Sequence, residues 1–593
     1  MSTKPIYVLG TGLSHDGSAC LLKDGKICVA IEKERVTRIK HDGGNDTAAI
    51  QYLLDAENIT FADLALVVQN ANFNMLAFGN DWWDGERLTR GDVSVVTISH
   101  HLAHAYGAFA TSPFEDAAVL IVDGCGNAFP DCIDRDGAMI PEIPQGEMAA
   151  LWHEKDSYYK MDGTRLDPLF KDFSPWGLGI TDYPMHPPST RHSIGGVYGA
   201  ASKYVFRGLE DPGKLMGLAP YGRPGVFEHE IFDLRDGRVF VRYEWMKNFR
   251  EPAHSHDAFK SRFQYYADIA YGIQRELERA LLYIVNARYA QHPNANLCYA
   301  GGVALNAVAN RRILTEGPFE QVYIQPSAAD NGLAIGCAYY GWLEILKKEK
   351  VRHAGTSYFG KSYDAVGTEA VLDRYRNLVE YSRSASPAEE AVSRLVDGKV
   401  VGWFQGGSEF GPRALGNRSI LADPRVAGIR DYINAKVKFR EDFRPFAPSV
   451  LAEDCGTYFD CDYDSPHMLL TAPVRPQWRE AIPAVVHKDH SARIQTVTRE
   501  SNPLYYDLLT SFKQRTGIGV LLNTSLNRRG MPIVETPEDA IMLFLYSGLD
   551  VLVIGNHVVE KLPDFDTRMM NFTAAIAQRS ARKTYERLVQ SEA

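Results

Sequence analysis

The sequence predicts an α/β fold of at least two domains, and three observations carry the prediction. Three segments run an apolar strand into a Gly/Asp-rich turn. Helical stretches, such as Ala48–Leu54 and Ala267–Tyr289, lie between them, and the mixture is that of an α/β protein. The 593-residue chain is about four times a usual domain, with 45% apolar and 23% charged residues, an ordinary soluble globular composition. A chain of this length builds its core without disulfides or structural metals. The eight cysteines are scattered with no CxxC pair and are expected to be reduced thiols.

The first segment has strand Ile6–Gly10, turn Thr11–Gly17 and strand Ser18–Leu22. The second runs Ala118–Asp123 into Gly124–Asn127. In the third, strand Leu297–Ala300 ends at Gly301 and Gly302, where a helical pattern begins. Glycine at such turns lets the backbone approach a ligand closely. Two strand–turn–strand units before a strand–Gly–Gly–helix unit suggest a duplicated, actin-like nucleotide fold. The pattern alone leaves another α/β fold equally open, because Gly/Asp turns are common. The Pro/Gly/Tyr/Asp-rich stretch 127–193 is expected to be an irregular insertion. A polar connector after Gly341–Glu349 places a boundary near 355, giving domains 1–355 and 356–593. A helix is expected over Ser386–Leu395, capped by Ser386 with Pro387 at its first position. Strand Val400–Phe404 and a Gly loop follow, and residues 573–593 read as a polar helix.

Lys plus Arg number 64 against 74 Asp plus Glu, a net charge of −10, which disfavours a nucleic-acid partner. No apolar run approaches the roughly 18 residues that span a bilayer. Met1–Tyr7 shows no signal-peptide pattern and no lipidation motif closes the chain, so a cytoplasmic protein without a membrane partner is expected.

His100 and His104 sit four apart in Ser99–Ala105, which places both on one face of a helix. Helical histidines grip a metal with this spacing, although packed or solvated histidines share it. Asp123 and Asp330 stand at element ends. Two imidazoles with carboxylate oxygens suit non-haem iron, manganese or zinc. His101 is expected to face outward. His15, beside Asp16 in the first turn, is a surface turn histidine or a base.

The densest cationic chemistry follows residue 400. Phe410–Ser419 carries Arg413 and Arg418 in a Gly loop. Lys436, Lys438, Arg440 and Arg444 follow closely, with Arg493 further on. Asn523, Thr524 and Ser525 read as a strand-end loop. Arginine's planar fork grips phosphate or carboxylate with paired hydrogen bonds. Lys436–Arg440 is by default a solvated face, whereas Arg444 stands among Pro and Phe neighbours.

HHLAHA, VDGCGN, GGVALN and SAADNG, followed by FGPRALGNRSI, FRPFAP and LLNTSLN, resemble the O-carbamoyltransferase family of natural-product and nodulation-factor biosynthesis. GLSHDGSAC, with Glu32–Arg35, Arg38, Lys40 and His41, resembles its N-terminal signature, and the segment around Lys214 also matches without a firm role. The resemblance covers nearly the whole chain. It implies an actin-like, duplicated ribonuclease H-like N-terminal domain fused to a threonylcarbamoyl-adenylate synthase-like domain. It implies that His100, His104, Asp123 and Asp330 hold iron (Fe2+) or another divalent metal, and that Gly301, Gly302 and Asn306 line the nucleotide site. It implies that Arg413, Lys438, Arg444, Arg493 and Asn523 bind ATP, with Mg2+, and carbamoyl phosphate. His15, with Asp16, is then the polar group near the transferred carbamoyl. The expected activity is ATP-dependent carbamoyl transfer to a hydroxyl of a small natural product, in toxin or antibiotic biosynthesis; a homodimer is compatible. An actin-fold sugar kinase and carbamoyl-type transfer to tRNA are the rival readings.

Overall fold

The computed structural model describes residues 4–71, 87–88, 93–177, 184–186, 189–208, 212–227 and 229–574. Tyr7–Gly12 (β1) is buried at every residue and so on both faces, as a central strand must be. Ser18–Lys23 (β2) and Lys26–Glu32 (β3) fold back antiparallel. Leu64–Asn70 (β4) and Val95–Ile98 (β5) add in parallel, giving the order β3-β2-β1-β4-β5. Helix Thr47–Glu57 provides the crossover that the parallel β1–β4 pair requires.

The second sheet repeats the first. Asp116–Val122 (β6), Trp152–Asp162 (β7) and Arg165–Pro175 (β8) run antiparallel in turn. Phe232–Arg235 (β9) and Arg238–Val241 (β10) form a separate hairpin. Asn296–Ala300 (β11) joins β6 in parallel, and Gln321–Ile324 (β12) joins β11. The resulting order, β12-β11-β6-β7-β8, matches the first sheet strand for strand and direction for direction. The expected irregular insertion at 127–193 is corrected here. The stretch up to Leu151 is loop and short 3-10 turns, but 152–175 forms the 11-residue strands of a long hairpin. Consecutive polar residues such as Lys155 and Asp156, or Lys171 and Asp172, are buried on both faces of these strands, where apolarity is no guide.

Two helices fill the space between the sheets. His100–Thr111 is buried at every residue, and Leu333–Tyr340 crosses it. The crossing is a backbone contact: a Cβ built on Gly336 would lie 1.7 Å from the Ala103 carbonyl oxygen.

The C-terminal half is one nine-stranded mixed sheet. Its strands are Val379–Arg383 (β13), Val401–Phe404 (β14), Arg418–Ala422 (β15), Ala447–Leu451 (β16), Leu470–Pro473 (β17), Ser491–Val497 (β18), Val520–Ser525 (β19), Val551–Ile554 (β20) and His557–Lys561 (β21). They lie in the order β13-β21-β20-β14-β15-β19-β16-β18-β17. Apolar residues pack on both of its faces. Helix Pro387–Val396 starts where expected, but Ser386 makes no side-chain cap; Glu389 and Glu390 in the first turn complement the helix dipole instead. Asn523 lies inside β19 and not in a loop beyond it. Residues 565–574 are helical, and the remainder of the expected C-terminal helix lies outside the described residues. The cysteines are free, with the Cys455 and Cys461 sulfurs 2.9 Å apart. No helix among the described residues is long and apolar enough to cross a membrane.

Overpacking a close-packed contact costs about 1–3 kcal/mol. Gly336→Ala should therefore lower the thermal midpoint measurably and shift the denaturant midpoint with little change in its slope. An unchanged midpoint would refute the close helix crossing.

Candidate active site

The helix His100–Thr111 starts directly after β5, and Asn127 fixes its first turn. The Asn127 side-chain oxygen accepts from the His100 backbone N–H at 2.6 Å, and its amide donates to the Ala71 carbonyl at 3.1 Å. One helical turn then carries His100 and His104 onto the same side, with ring centroids 4.8 Å apart. Asp123 arrives from the end of β6 and Asp330 from the turn before Leu333–Tyr340. Asp123 Oδ2 lies 3.1 Å from His100 Nε2 and 3.3 Å from His104 Nε2, and Asp330 Oδ1 lies 3.4 Å from His100 Nε2. One ligand atom from each of the four residues falls within 4.8 Å of the others, and all four residues are buried.

Burial opposes charge on His100, but the carboxylates of Asp330 and Asp123 overcome it and push its pKa up to about 10. Burial also works against ionised Asp123, yet the facing imidazoles of His100 and His104 hold its pKa below the usual range. His104 Nδ1 and Nε2, and His100 Nδ1, are buried without a hydrogen-bond partner. Buried polar atoms in this state fit a donor set shaped for a cation.

His101 does not face outward. It is fully buried behind the cluster, its Nδ1 2.7 Å from the Ser157 hydroxyl, and burial pulls its pKa down to about 4. Behind it Glu154 pairs with Lys171 at 2.5 Å, so the long hairpin supplies the wall that supports the histidine helix.

Of the four, Asp123 and Asp330 line a cavity of about 580 Å³. His15 stands at its edge, with Nδ1 3.3 Å from Asp330 Oδ2 and Nε2 3.6 Å from Asp16 Oδ2. Burial would raise the Asp16 pKa, but the bond with His41 at 2.7 Å and the charges of His15 and His41 lower it. Gly302 lies on the wall and donates its N–H to Asp123 Oδ1 at 3.2 Å. Asn306 is also on the wall, but its side chain caps helix Ala307–Glu316 and exchanges two hydrogen bonds with Gln274. Gly301 is off the wall. Its φ of +95° and its approach to the Val122 carbonyl, 2.3 Å from a built Cβ, make it a glycine of β6–β11 packing.

A second cavity, of about 280 Å³, lies in the C-terminal half against the first. Arg413, Arg440, Arg444, Arg493 and Asn523 line it. Burial, with Arg444 nearby, pulls the Arg413 pKa down to about 10, and burial with Arg413, Arg440 and Arg444 lowers that of Arg493. Arg413 Nε and Arg493 Nε are buried without partners. Crowded, desolvated guanidiniums call for an anion. Asn523 donates to Ser449, Gln495 and the Ala414 carbonyl, holding the floor. Lys438 is set apart from the wall. Its ammonium is spent on the Ser525 carbonyl, the Ser525 hydroxyl and Asn527 Oδ1 at 2.7, 3.1 and 2.5 Å, which fixes the loop after β19. The default of a solvated face thus holds for exposed Lys436 and fails for Lys438 and Arg440. Lys214 is likewise buried, 3.5 Å from Glu441.

The two cavities share a wall made by Glu34, Lys40, Met216, Pro412, Arg413 and Arg444. Arg440, Glu34 and Lys40 were not singled out as site residues by sequence. Arg440 was hidden in a basic run, and the other two come from a segment distant in sequence from both clusters.

Comparison with known proteins places this geometry among relatives. A model described as "Carbamoyltransferase N-terminus" matches residues 8–74 and 64–339, and one described as "Carbamoyltransferase C-terminus" matches 392–561. The chain is 34% identical over 579 residues to nodulation protein NolNO of Sinorhizobium fredii, covering 92% of this chain and 79% of that one. It is 34% identical over 637 residues to the uncharacterized protein sll1178 of Synechocystis, covering 94% and 97%. Among solved structures, HypF of T. kodakarensis aligns with 58% of this chain and 50% of its own, at 15% identity and a TM-score of 0.36.

Loss of one supporting partner of a metal ligand costs about 10–100-fold in metal affinity, and loss of a ligand costs no less. His104→Ala and Asp330→Asn should each weaken divalent-metal binding by at least about tenfold in calorimetric titration. Retention of wild-type affinity by both would rule out the quartet as a metal site.

Proposed function

The chain belongs to the carbamoyltransferase family, and on that premise we propose an ATP-dependent O-carbamoyltransferase that works in two steps. We read 1–355 as the actin-like, duplicated ribonuclease H-like transfer domain, which the repeated strand order supports. We read 356–593 as the threonylcarbamoyl-adenylate synthase-like domain. There carbamoyl phosphate and Mg-ATP become carbamoyl-adenylate. One water is consumed: it releases phosphate, and the carbamate oxygen then displaces diphosphate from the α-phosphorus. Arg413, Arg440, Arg444 and Arg493 hold the anions together and offset the charge that builds on the leaving groups.

The adenylate then crosses the shared wall into the larger cavity. His100, His104, Asp123 and Asp330 would hold iron or another divalent ion, whose contribution is Lewis acidity toward a phosphate or carbonyl oxygen. His15 takes the proton of the acceptor hydroxyl, and Asp330 and Asp16 at its two ring nitrogens stabilise the imidazolium that results. AMP leaves. Gly302 and the Asn306–Gln274 pair shape the adenosine side of the pocket. The acceptor on this reading is the alcohol of a small natural product, such as a guanidinium alkaloid or an aminoglycoside antibiotic.

The observation that carries this reading is the adjacency of two chemically different pockets, one lined by guanidiniums and one reached by Asp123 and Asp330 of the His/Asp quartet, with Arg413 and Arg444 in the wall of both. A carbamoyl group is a poor electrophile, and activation beside the point of transfer limits loss of the anhydride to water.

The test is incubation with ATP, carbamoyl phosphate and a panel of hydroxylated acceptors, followed by mass spectrometry. AMP and diphosphate are expected as products; ADP would point to a kinase. Arg444→Ala should slow diphosphate release by about 10²–10³-fold, the usual loss for one charge-stabilising donor. His104→Ala should leave carbamoyl-adenylate formation standing and block transfer. If both substitutions remove the same half-reaction, the division of labour is wrong.

A further inference from the structure

Beyond the two pockets, the least explained feature is the buried pair Glu32–Arg35. Both side chains lie at the seam between the halves, with Arg35 Nε 2.9 Å from Glu32 Oε2 and side-chain exposures of 1% and 6%. Burying an ion pair stabilises little by itself, because the desolvation of both charges offsets the attraction. The remaining contacts show what the pair holds. Arg35 Nη1 donates to the Glu409 carbonyl, and Nη2 donates to the Gly411 carbonyl at 2.6 Å. Glu32 Oε1 accepts the Gly411 N–H at 2.6 Å and the Asn331 side-chain amide at 3.3 Å.

Those partners are immediate neighbours of the two sites. Asn331 follows Asp330, and Gly411 stands two residues before Arg413. Ser327, on the other side of Asp330, donates its hydroxyl to the Phe410 carbonyl at 3.2 Å. Gly411 makes this approach with φ of +119°, and a Cβ there would sit 3.0 Å from Ser327 Oγ. Glu32 borders the larger cavity and Arg35 the smaller one.

We propose that Glu32 and Arg35 are positioning residues for the handover. With Asn331 they lock the Arg413 loop onto the Asp330 turn and hold the two cavities in line, so that carbamoyl-adenylate crosses without release to solvent. The proposal rests on the two-step reading above.

The test uses the full chain, wild type and the variants Glu32→Gln and Arg35→Lys, with Mg-ATP and carbamoyl phosphate but no acceptor. Protein-bound and free carbamoyl-adenylate are separated by rapid gel filtration and measured by mass spectrometry, per diphosphate released. The wild type should keep the adenylate bound. Each variant should lower the bound share per diphosphate by about 5–150-fold, the usual range of coupling between two sites. Hydrogen exchange supplies a second measurement that needs no chemistry: segments 408–415 and 327–332 should gain exchange together in both variants. A bound share per diphosphate equal to wild type overturns the proposal, as does a wild type that releases its adenylate as readily as the variants. A wild type that releases no diphosphate sinks the two-step reading alone; the lock is then judged by exchange, and unchanged exchange in either segment overturns it.

Discussion

The contact on which the rest depends is the crossing of two helices at Ala103 and Gly336, with Gly107 facing the same seam. No side chain separates the two backbones there. Protein interiors are close-packed and do not absorb an extra methyl without displacement. The crossing therefore fixes where the turn before Leu333 can stand, and with it Asp330. Histidines on one helix and a carboxylate ahead of another meet within a few ångströms only while this contact stays tight. The sheets beneath contribute the third direction, because Asp123 ends β6, the strand against which the loop at Gly301 is packed. One quartet thus draws on both sheets and both central helices.

The second cavity has the opposite electrical character, and the pairing of the two has a physical sense. Guanidiniums that depress one another's proton affinity are held in place by the fold at a cost, which an anion offsets on binding. A triphosphate with an acyl phosphate offers many negative oxygens to that cavity. On the proposed two-step reading, an adenylate left after phosphate and diphosphate depart would keep a single phosphate charge and have less to hold it there. A cation held by the quartet beyond Arg413 and Arg444 would then compete for it.

The two halves of the site were legible in the sequence to different depths. The quartet was readable because helical spacing brings His100 and His104 together, and because strand ends and turns are where Asp123 and Asp330 had to stand. The repeated sheet was readable from the strand–turn units, since short continuous apolar runs bounded by glycine mark buried strands. The hairpin at 152–175 was not, because its inward side chains are Tyr, Lys, Asp and Glu, whose burial depends on partners far along the chain. The cationic wall was readable in composition but not in detail. Lys438 and Arg440 are two residues apart, yet Lys438 turns to the loop after β19 and Arg440 to the cavity, a choice made by the π-type turn that ends at Phe439 with φ of +50°. For Gly301 a packing role was not visible either: a Gly pair looks the same whether it meets a ligand or a neighbouring strand.

The seam between the halves joins apolar packing, with Phe443, Leu469 and Leu470 set into the N-terminal core, to directional hydrogen bonds, and the second kind bears on function. Arg35 reaches the carbonyls of Glu409 and Gly411, and Arg38 reaches those of Ile533 and Pro532 at 2.7 and 3.1 Å. Tyr52 adds a hydroxyl bond to Glu535. All three side chains come from the first sixty residues, and Arg35 and Arg38 sit on or beside the five-residue helix Lys33–Thr37. An apolar seam of the same extent would resist separation but would tolerate sliding, because hydrophobic contact is non-directional. Hydrogen bonds to fixed carbonyls weaken steeply with angle, so they resist sliding as well. On the proposed two-step reading, pockets that pass a water-sensitive anhydride need that second property more than the first. A slip of about 1 Å between them would open the path to solvent or misalign the reacting groups, and misplacement on that scale costs about a hundredfold in rate.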